Sequence, residues 1–185
     1  MKLAIVRHGQ TDYNATGLVQ GRSDIPLNDL GIEQARTIGQ TLASSHAHFD
    51  IIMSSTLTRA YETASEIAKA LNYTKEIMTD ARFIERDFHH LDGTSVETAM
   101  PLVRSKGYAF ESYETDEQLI NRISSAALDL EKKYPDQSIL LVAHSHVIKA
   151  LLIYAEPHTY TFADLIKHVD IIYFEIHDQK VTVIK

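Results

Sequence analysis

The strongest constraint on this chain is a set of short, largely apolar runs that stop abruptly at polar residues and alternate with amphipathic stretches of helix length. Residues 3–6, 51–54 and 139–143 are such runs. A run with no polar side to offer water predicts a strand covered on both faces. Between the runs, Asn28 and Asp29 predict the cap of a helix over 30–44, with Ile32, Ala35, Ile38, Gly39 and Leu42 on one side. A second helix is expected over 56–71, carrying Ala60, Ala64, Ile67, Ala68 and Leu71 on its core face. A third is expected over 116–134, on Leu119, Ile123, Ala126, Ala127 and Leu130, and a fourth over 147–154, opening just after the most apolar run. Residues 76–79 read as a weak strand, and 171–176 with 181–184 as a closing hairpin around Asp178-Gln179. Such alternation predicts an α/β fold, a three-layer α/β/α sandwich around a mostly parallel central sheet. No repeat, low-complexity tract or linker interrupts the 185 residues, so one domain over 1–185 is expected.

The formal net charge of −7 disfavours nucleic acid as a partner, so an anionic small-molecule substrate would need positive charge gathered locally. The absence of cysteine excludes disulfides, thiolate metal sites and cysteine nucleophiles. The N-terminal apolar run is too short for a signal peptide, and no stretch approaches the roughly 20 apolar residues of a membrane span. The expectation is a cytoplasmic protein with no membrane partner.

In open α/β sheets, sites form beyond the carboxyl ends of the strands. Three polar motifs are expected there: Arg7-His8-Gly9, the stretch from Ser54 to Arg59, and His144-Ser145-His146. A histidine where a strand stops can have one ring nitrogen fixed by a backbone carbonyl and the other aimed at a ligand. Imidazole attacks phosphorus well, which suits covalent catalysis in two steps. The adjacent Arg7 offers a planar fork for phosphoryl oxygens. Residues 9–28, rich in Gly, Asn, Asp, Gln and Thr, predict a long functional loop.

Five strings occur in order: RHGQTDYN, QGRSDIPLNDLGIEQA, SSTLTRAYETA, FIERDFHHLDG and VAHSHVIKAL. Together they resemble the histidine phosphatase superfamily, also called the phosphoglycerate mutase-like family. The resemblance implies that His8 is the phosphorylated histidine and that Arg7 and Arg59 bind phosphate. It further implies that Asn14 lines the phosphate pocket, His144 is the pocket's second histidine, and Glu85 is the acid that protonates the leaving group. Gln20, Gly21 and Thr11 either donate to the pocket or only shape its loop. Asp87 is the rival acid. The His144/His146 pair is not read as a metal site, because the two rings should point apart where a strand passes into a helix. No metal and no cofactor are expected.

Ser145 and His89 stand where many members carry glycine. His89 and His90 line the mouth or face solvent. Residues 81–115 are expected to form loops with one or two short helices, and about 86–115 of them a lid that shapes the substrate site. Their aromatics, Tyr108, Phe110 and Tyr113, either choose the substrate or pack the lid onto the core. The segment between Glu85 and His144 is short, and its basic residues Arg86, Arg104 and Lys106 do not form the cluster that mutases use to hold a bisphosphorylated substrate. Water access and hydrolysis of a small phosphomonoester follow as the leading reading. A cofactor-dependent phosphoglycerate mutase and a non-catalytic phosphate-binding module are the alternatives. A monomer or homodimer is expected.

Overall fold

The computed structural model describes residues 1–105 and 108–184, so Lys106 and Gly107 lie outside the described residues. Six strands form one sheet in the order β3-β2-β4-β1-β5-β6: β1 (Lys2–Arg7), β2 (Ile51–Ser54), β3 (Met78–Thr79), β4 (Ser138–Ala143), β5 (Ile171–His177) and β6 (Lys180–Ile184). The β1–β4, β2–β4 and β2–β3 pairs are parallel, whereas β5 and β6 close one edge antiparallel.

The apolar runs earn their place by alternation. Leu3 and Ile5 of β1, with Ile139 and Leu141 of β4, bury against α5 (Asp116–Lys133) and α6 (Ser145–Ala155). Ala4 and Val6, with Leu140 and Val142, bury against α2 (Asp29–Ser44) and α3 (Thr58–Ala70). Both faces of the central strands are therefore covered, as a sheet with side chains pointing alternately up and down requires when neither face carries polar groups. The layers are helix, sheet and helix.

Local chemistry sets the element ends. The Asn28 side chain accepts from Gly31 N–H and starts α2, and a Thr115/Gln118 capping box starts α5. Asp116 and Glu117 lie in the first turn of α5 and Lys132 and Lys133 in its last, complementing the helix dipole. Asp178 and Gln179 both have positive φ, which suits the two-residue turn of the β5–β6 hairpin. Within 9–28, read as loop, Thr11 caps the short helix α1 (Asp12–Ala15). Residues 86–115 hold α4 (Val96–Val103) and a 3₁₀ turn over His89–Leu91. This segment packs through its own small apolar cluster of Val19, Phe88, Leu91, Ala99 and Tyr113, with Tyr108 against it.

Strand register aligns the candidate residues. Arg7 pairs with Ala143, and Ser54 with Val142. His8 N–H then donates to the Ala143 carbonyl (3.0 Å), and Ser55 N–H to the Val142 carbonyl (3.0 Å). Ser55, His144 and His8 thus emerge side by side from the ends of β2, β4 and β1. Two glycines allow α2 to approach them: a Cβ on Gly9 would run into the Gly31 carbonyl, and one on Gly31 into the Gln10 carbonyl.

Candidate active site

His8 is almost fully buried, and its Nδ1 lies 2.7 Å from the Gly9 carbonyl. Since a carbonyl only accepts, Nδ1 carries the hydrogen and Nε2 carries the lone pair. Arg59 Nε donates toward that nitrogen at 3.2 Å. The Arg59 side chain is fully buried and is aimed by two carbonyls, Gly21 (2.8 Å from Nη2) and Ser23 (2.9 Å from Nη1). Those carbonyls are held in turn by Asp92, whose carboxylate accepts from Gly21 N–H (3.1 Å) and Ser23 N–H (2.8 Å). Burial draws the Arg59 guanidinium down to about 10, which still leaves it charged at neutral pH.

His144 caps α6, with its ring centroid 5.2 Å from that of His8. Its Nε2 lies 2.7 Å from Ser55 Oγ, and its buried Nδ1 has no partner. Ser55 Oγ also accepts a long bond from Leu57 N–H (3.4 Å). Where Ser55 is the donor in that pair, His144 Nδ1 carries the hydrogen and presents it to no protein group. Arg7 sends Nη1 to the Ile166 carbonyl (2.6 Å), while its buried Nε is unpartnered. Burial lowers the Arg7 pKa, and Glu85 and Asp170 oppose the shift.

Glu85 is buried beside these cations. Its Oε1 accepts from Arg86 N–H (2.8 Å) and its Oε2 from His146 N–H in the first turn of α6 (3.4 Å). Asp87 is engaged elsewhere, with Arg22 at 2.9 Å and with His89 N–H. Arg86 does not face the cluster as a free cation. Its guanidinium is buried 4.3 Å over the Phe162 ring, donates to the Tyr113 hydroxyl (2.6 Å) and lies 2.7 Å from Asp116.

The remaining expected residues sit around the loop. Asn14 Oδ1 accepts from Thr11 N–H, and the Thr11 hydroxyl donates to Gln20 Oε1 (2.5 Å), so both side chains brace the turn after His8. Gly21, left between pocket donor and loop element by the sequence, is engaged within the loop. Its N–H is taken by Asp92, and its contribution is the carbonyl that aims Arg59. His146 packs between Phe88 and Phe162, and among the described residues no group of three or more His, Asp or Glu could hold a metal ion. His89 and His90 are exposed; the ring of Phe110, half exposed, lies tilted with its centroid 4.0 Å from that of His90.

Three groups at the site escaped sequence reading. Thr63 Oγ1 accepts from Gly9 N–H (3.1 Å). Lys149 is buried beside Glu85; burial brings it down to about 8 against the opposing pull of that carboxylate, and it donates to the Phe162 carbonyl. His168 lies with its ring 5.8 Å from that of His8. The spacing of Lys149 from His144 within one motif was a usable signal, whereas nothing local marks Thr63 or His168.

Burial is the main cause that holds His8, His144 and His146 well below the usual imidazole range. Nearby Arg59, His144 and Arg7 add to it for His8, Arg59 and Arg7 for His144, and Arg86 and Lys149 for His146. These rings stay neutral in the fold, but in the unfolded chain they take up protons as the pH falls through about 6.5. The unfolded state then binds more protons, so stability is fully present above that pH and is lost below it. His168, brought down to about 4, adds a fourth such ring, and the four together give a slope of up to about 5 kcal/mol per pH unit. Urea midpoints at pH 7, 6 and 5 are expected to fall steeply over the last interval. A flat series would show that these rings protonate within the native fold.

Comparison with known proteins agrees with this geometry. The family model for the histidine phosphatase superfamily, branch 1, matches residues 3–184. The uncharacterised phosphatase PhoE of Bacillus subtilis is 37% identical over 153 residues, covering 81% of this chain and 75% of that protein. Phosphoserine phosphatase 1 of Hydrogenobacter thermophilus is 31% identical, over 82% and 74% of the two chains. The crystal structure of a phosphoserine phosphatase mutant from Entamoeba histolytica, in complex with phosphoserine, superposes with a TM-score of 0.84 at 27% identity, covering 100% of this chain and 95% of that one. Bisphosphoglycerate-dependent phosphoglycerate mutases also stand among the relatives. The chain belongs to the histidine phosphatase superfamily, branch 1, and is a small-molecule phosphatase of that family.

Proposed function

We propose that the chain hydrolyses a small phosphomonoester in two steps through a phosphohistidine on His8. The observation that carries this reading is a neutral imidazole whose Nδ1 is fixed on Gly9, leaving a lone pair on Nε2 beside the guanidinium of Arg59. In the first step Nε2 bonds to phosphorus as the ester P–O bond breaks, and Glu85 gives its proton to the departing oxygen. In the second, water attacks phosphorus, its proton passes to the Glu85 carboxylate, and the P–N electron pair returns to Nε2. Arg7, Arg59 and His144 Nδ1–H balance the charge spread over the phosphoryl oxygens. Asn14, Gln20 and Gly21 act behind them, holding the loop and the arginine.

Phosphoserine and 3-phosphoglycerate are the first compounds to test, because related proteins of known structure were solved with them. Hydrolysis is favoured over mutase chemistry because the buried Arg86 is spent on Tyr113, Phe162 and Asp116 instead of facing a second phosphate. Residues 86–115 are taken as the lid. No helix among the described residues is long and apolar enough to cross a membrane. A cytoplasmic setting, and a monomer or homodimer as the working unit, complete the reading.

Rapid mixing with a panel of phosphomonoesters in EDTA is expected to give a burst of acid-labile phosphoprotein, then steady release of inorganic phosphate at the rate seen without chelator. Transfer of the phosphoryl group to glycerate instead of water would make the enzyme a mutase. Tight phosphate binding with no phosphoprotein would make it a binding module.

A further inference from the structure

We propose that His168 is a positioning residue for the nucleophile. With Thr63 it clamps the peptide unit that joins His8 to Gly9, and through that unit it holds the His8 ring in line for attack. The proposal rests on the reading of His8 as the nucleophile.

The His8 ring is steered by the Gly9 carbonyl, so the aim of Nε2 depends on how the two peptide planes around Gly9 are set. Glycine is the residue least able to fix those planes by itself. The first plane is gripped at both ends. Its N–H, on Gly9, donates to Thr63 Oγ1 from α3 (3.1 Å). Its carbonyl, on His8, lies 3.1 Å from His168 Nδ1. A carbonyl can only accept, so His168 carries its hydrogen on Nδ1, and the contact is a donated bond.

The route by which His168 arrives is itself unusual. The next residue, Val169, has φ +56°, a left-handed conformation in which a β-branched side chain is an outlier. It is held there by bonds on both sides: Val169 N–H donates to the Arg7 carbonyl (3.0 Å), and Arg7 N–H to the Asp170 carbonyl (3.1 Å). The segment is thus strapped onto the end of β1, and its strained residue turns the His168 ring over His8. Strained backbone of this kind persists only where the surroundings over-determine it, and it gathers at functional sites. Burial, with Arg7 adding to it, brings His168 down to about 4, against its bond to His8 and the charge of Asp170. The clamp is therefore neutral at neutral pH.

The test is single-turnover phosphorylation of the full chain by p-nitrophenyl phosphate, with thermal unfolding measured beside it. Wild type forming a phosphohistidine that His8→Ala cannot form establishes the underlying reading; a wild type that forms none overturns that reading and the clamp with it. Given that control, His168→Ala is expected to slow phosphorylation about 10- to 100-fold, the scale of a misplacement of about 1 Å, with KM changed less than about threefold. His168→Asn carries an amide N–H close to where Nδ1–H stood, and should recover most of the rate. His168→Gln, which places its amide nearer the Nε2 position, should not. Recovery by Gln and not by Asn would mean that the ring works through Nε2 on the substrate, and would overturn the clamp. So would a wild-type rate in His168→Ala, or rate losses in the Ala and Asn variants that simply follow equal losses in Tm.

Discussion

His8→Ala is expected to form no phosphoenzyme with any substrate and to lose at least about 10⁴-fold in kcat/KM, the scale on which removing a covalent nucleophile is felt. The size follows from the geometry. Nε2 is the ring atom that Arg59 addresses, and the second imidazole cannot replace it. His144 Nε2 is held by Ser55, and its Nδ1 is buried without a protein partner. Truncation leaves Arg7, Arg59 and His144 in place, so phosphate binding should survive while turnover does not. The fold should survive as well. The lost ring is one of four, with His144, His146 and His168, whose burial penalises the folded state in acid, so the pH dependence of the urea midpoint should flatten by about a quarter in this variant. That result separates a missing nucleophile from a damaged protein. Exogenous imidazole, small enough for the vacated space, should restore some release of phosphate without restoring a phosphoprotein. A burst of phosphoprotein in His8→Ala would falsify the assignment outright.

The central sheet was legible because its strands are buried on both faces, and burial on both faces leaves an unbroken apolar run. Residues 3–6, 51–54 and 139–143 emerge as the heart of β1, β2 and β4, and the spacing of Leu119, Ile123 and Leu130 places α5 correctly. The hairpin was legible from its turn residues. By contrast, residues 86–115 have no strong period, because they bury one small cluster of their own and surround it with polar turns. The candidate site divides in the same way. Groups that touch the phosphoryl position in the proposed mechanism lie in short motifs directly beyond strand ends. Groups that hold those residues come from elsewhere: Asp92 acts on Arg59 through two loop carbonyls, and His168 reaches the His8 carbonyl across 160 residues. A bond of that kind depends on the closed sheet and not on any spacing along the chain. Gly21 shows the same limit from the other side, since its place in a motif marked it as important but could not say whether its donor or its acceptor was in use.

Glu85→Gln is expected to divide substrates by their leaving groups. An alkyl phosphate must leave as an alcohol, so losing the acid should cost roughly 10²–10⁴-fold in the phosphorylation step. The p-nitrophenolate leaves as a stable anion and should lose less than about tenfold in the same step. Rates must come from single-turnover bursts, because the same carboxylate is the base for water in the second step and steady-state turnover would slow for every substrate. The substitution is gentle on the fold: a glutamine carbonyl can keep the bond from Arg86 N–H, and only the long contact to His146 N–H is put at risk. It also removes the carboxylate that offsets the charges of Arg7, Arg59 and Lys149. The anionic substrate should therefore bind at least as tightly as before, with a KM equal to or below that of wild type while kcat falls. A merely structural carboxylate would give the opposite pattern, with weaker binding and equal losses for both leaving groups. Equal losses would also reopen the case for Asp87, two residues away. Its pairing with Arg22 and its bond from His89 N–H are the reasons to expect that Asp87→Asn leaves the leaving-group dependence unchanged.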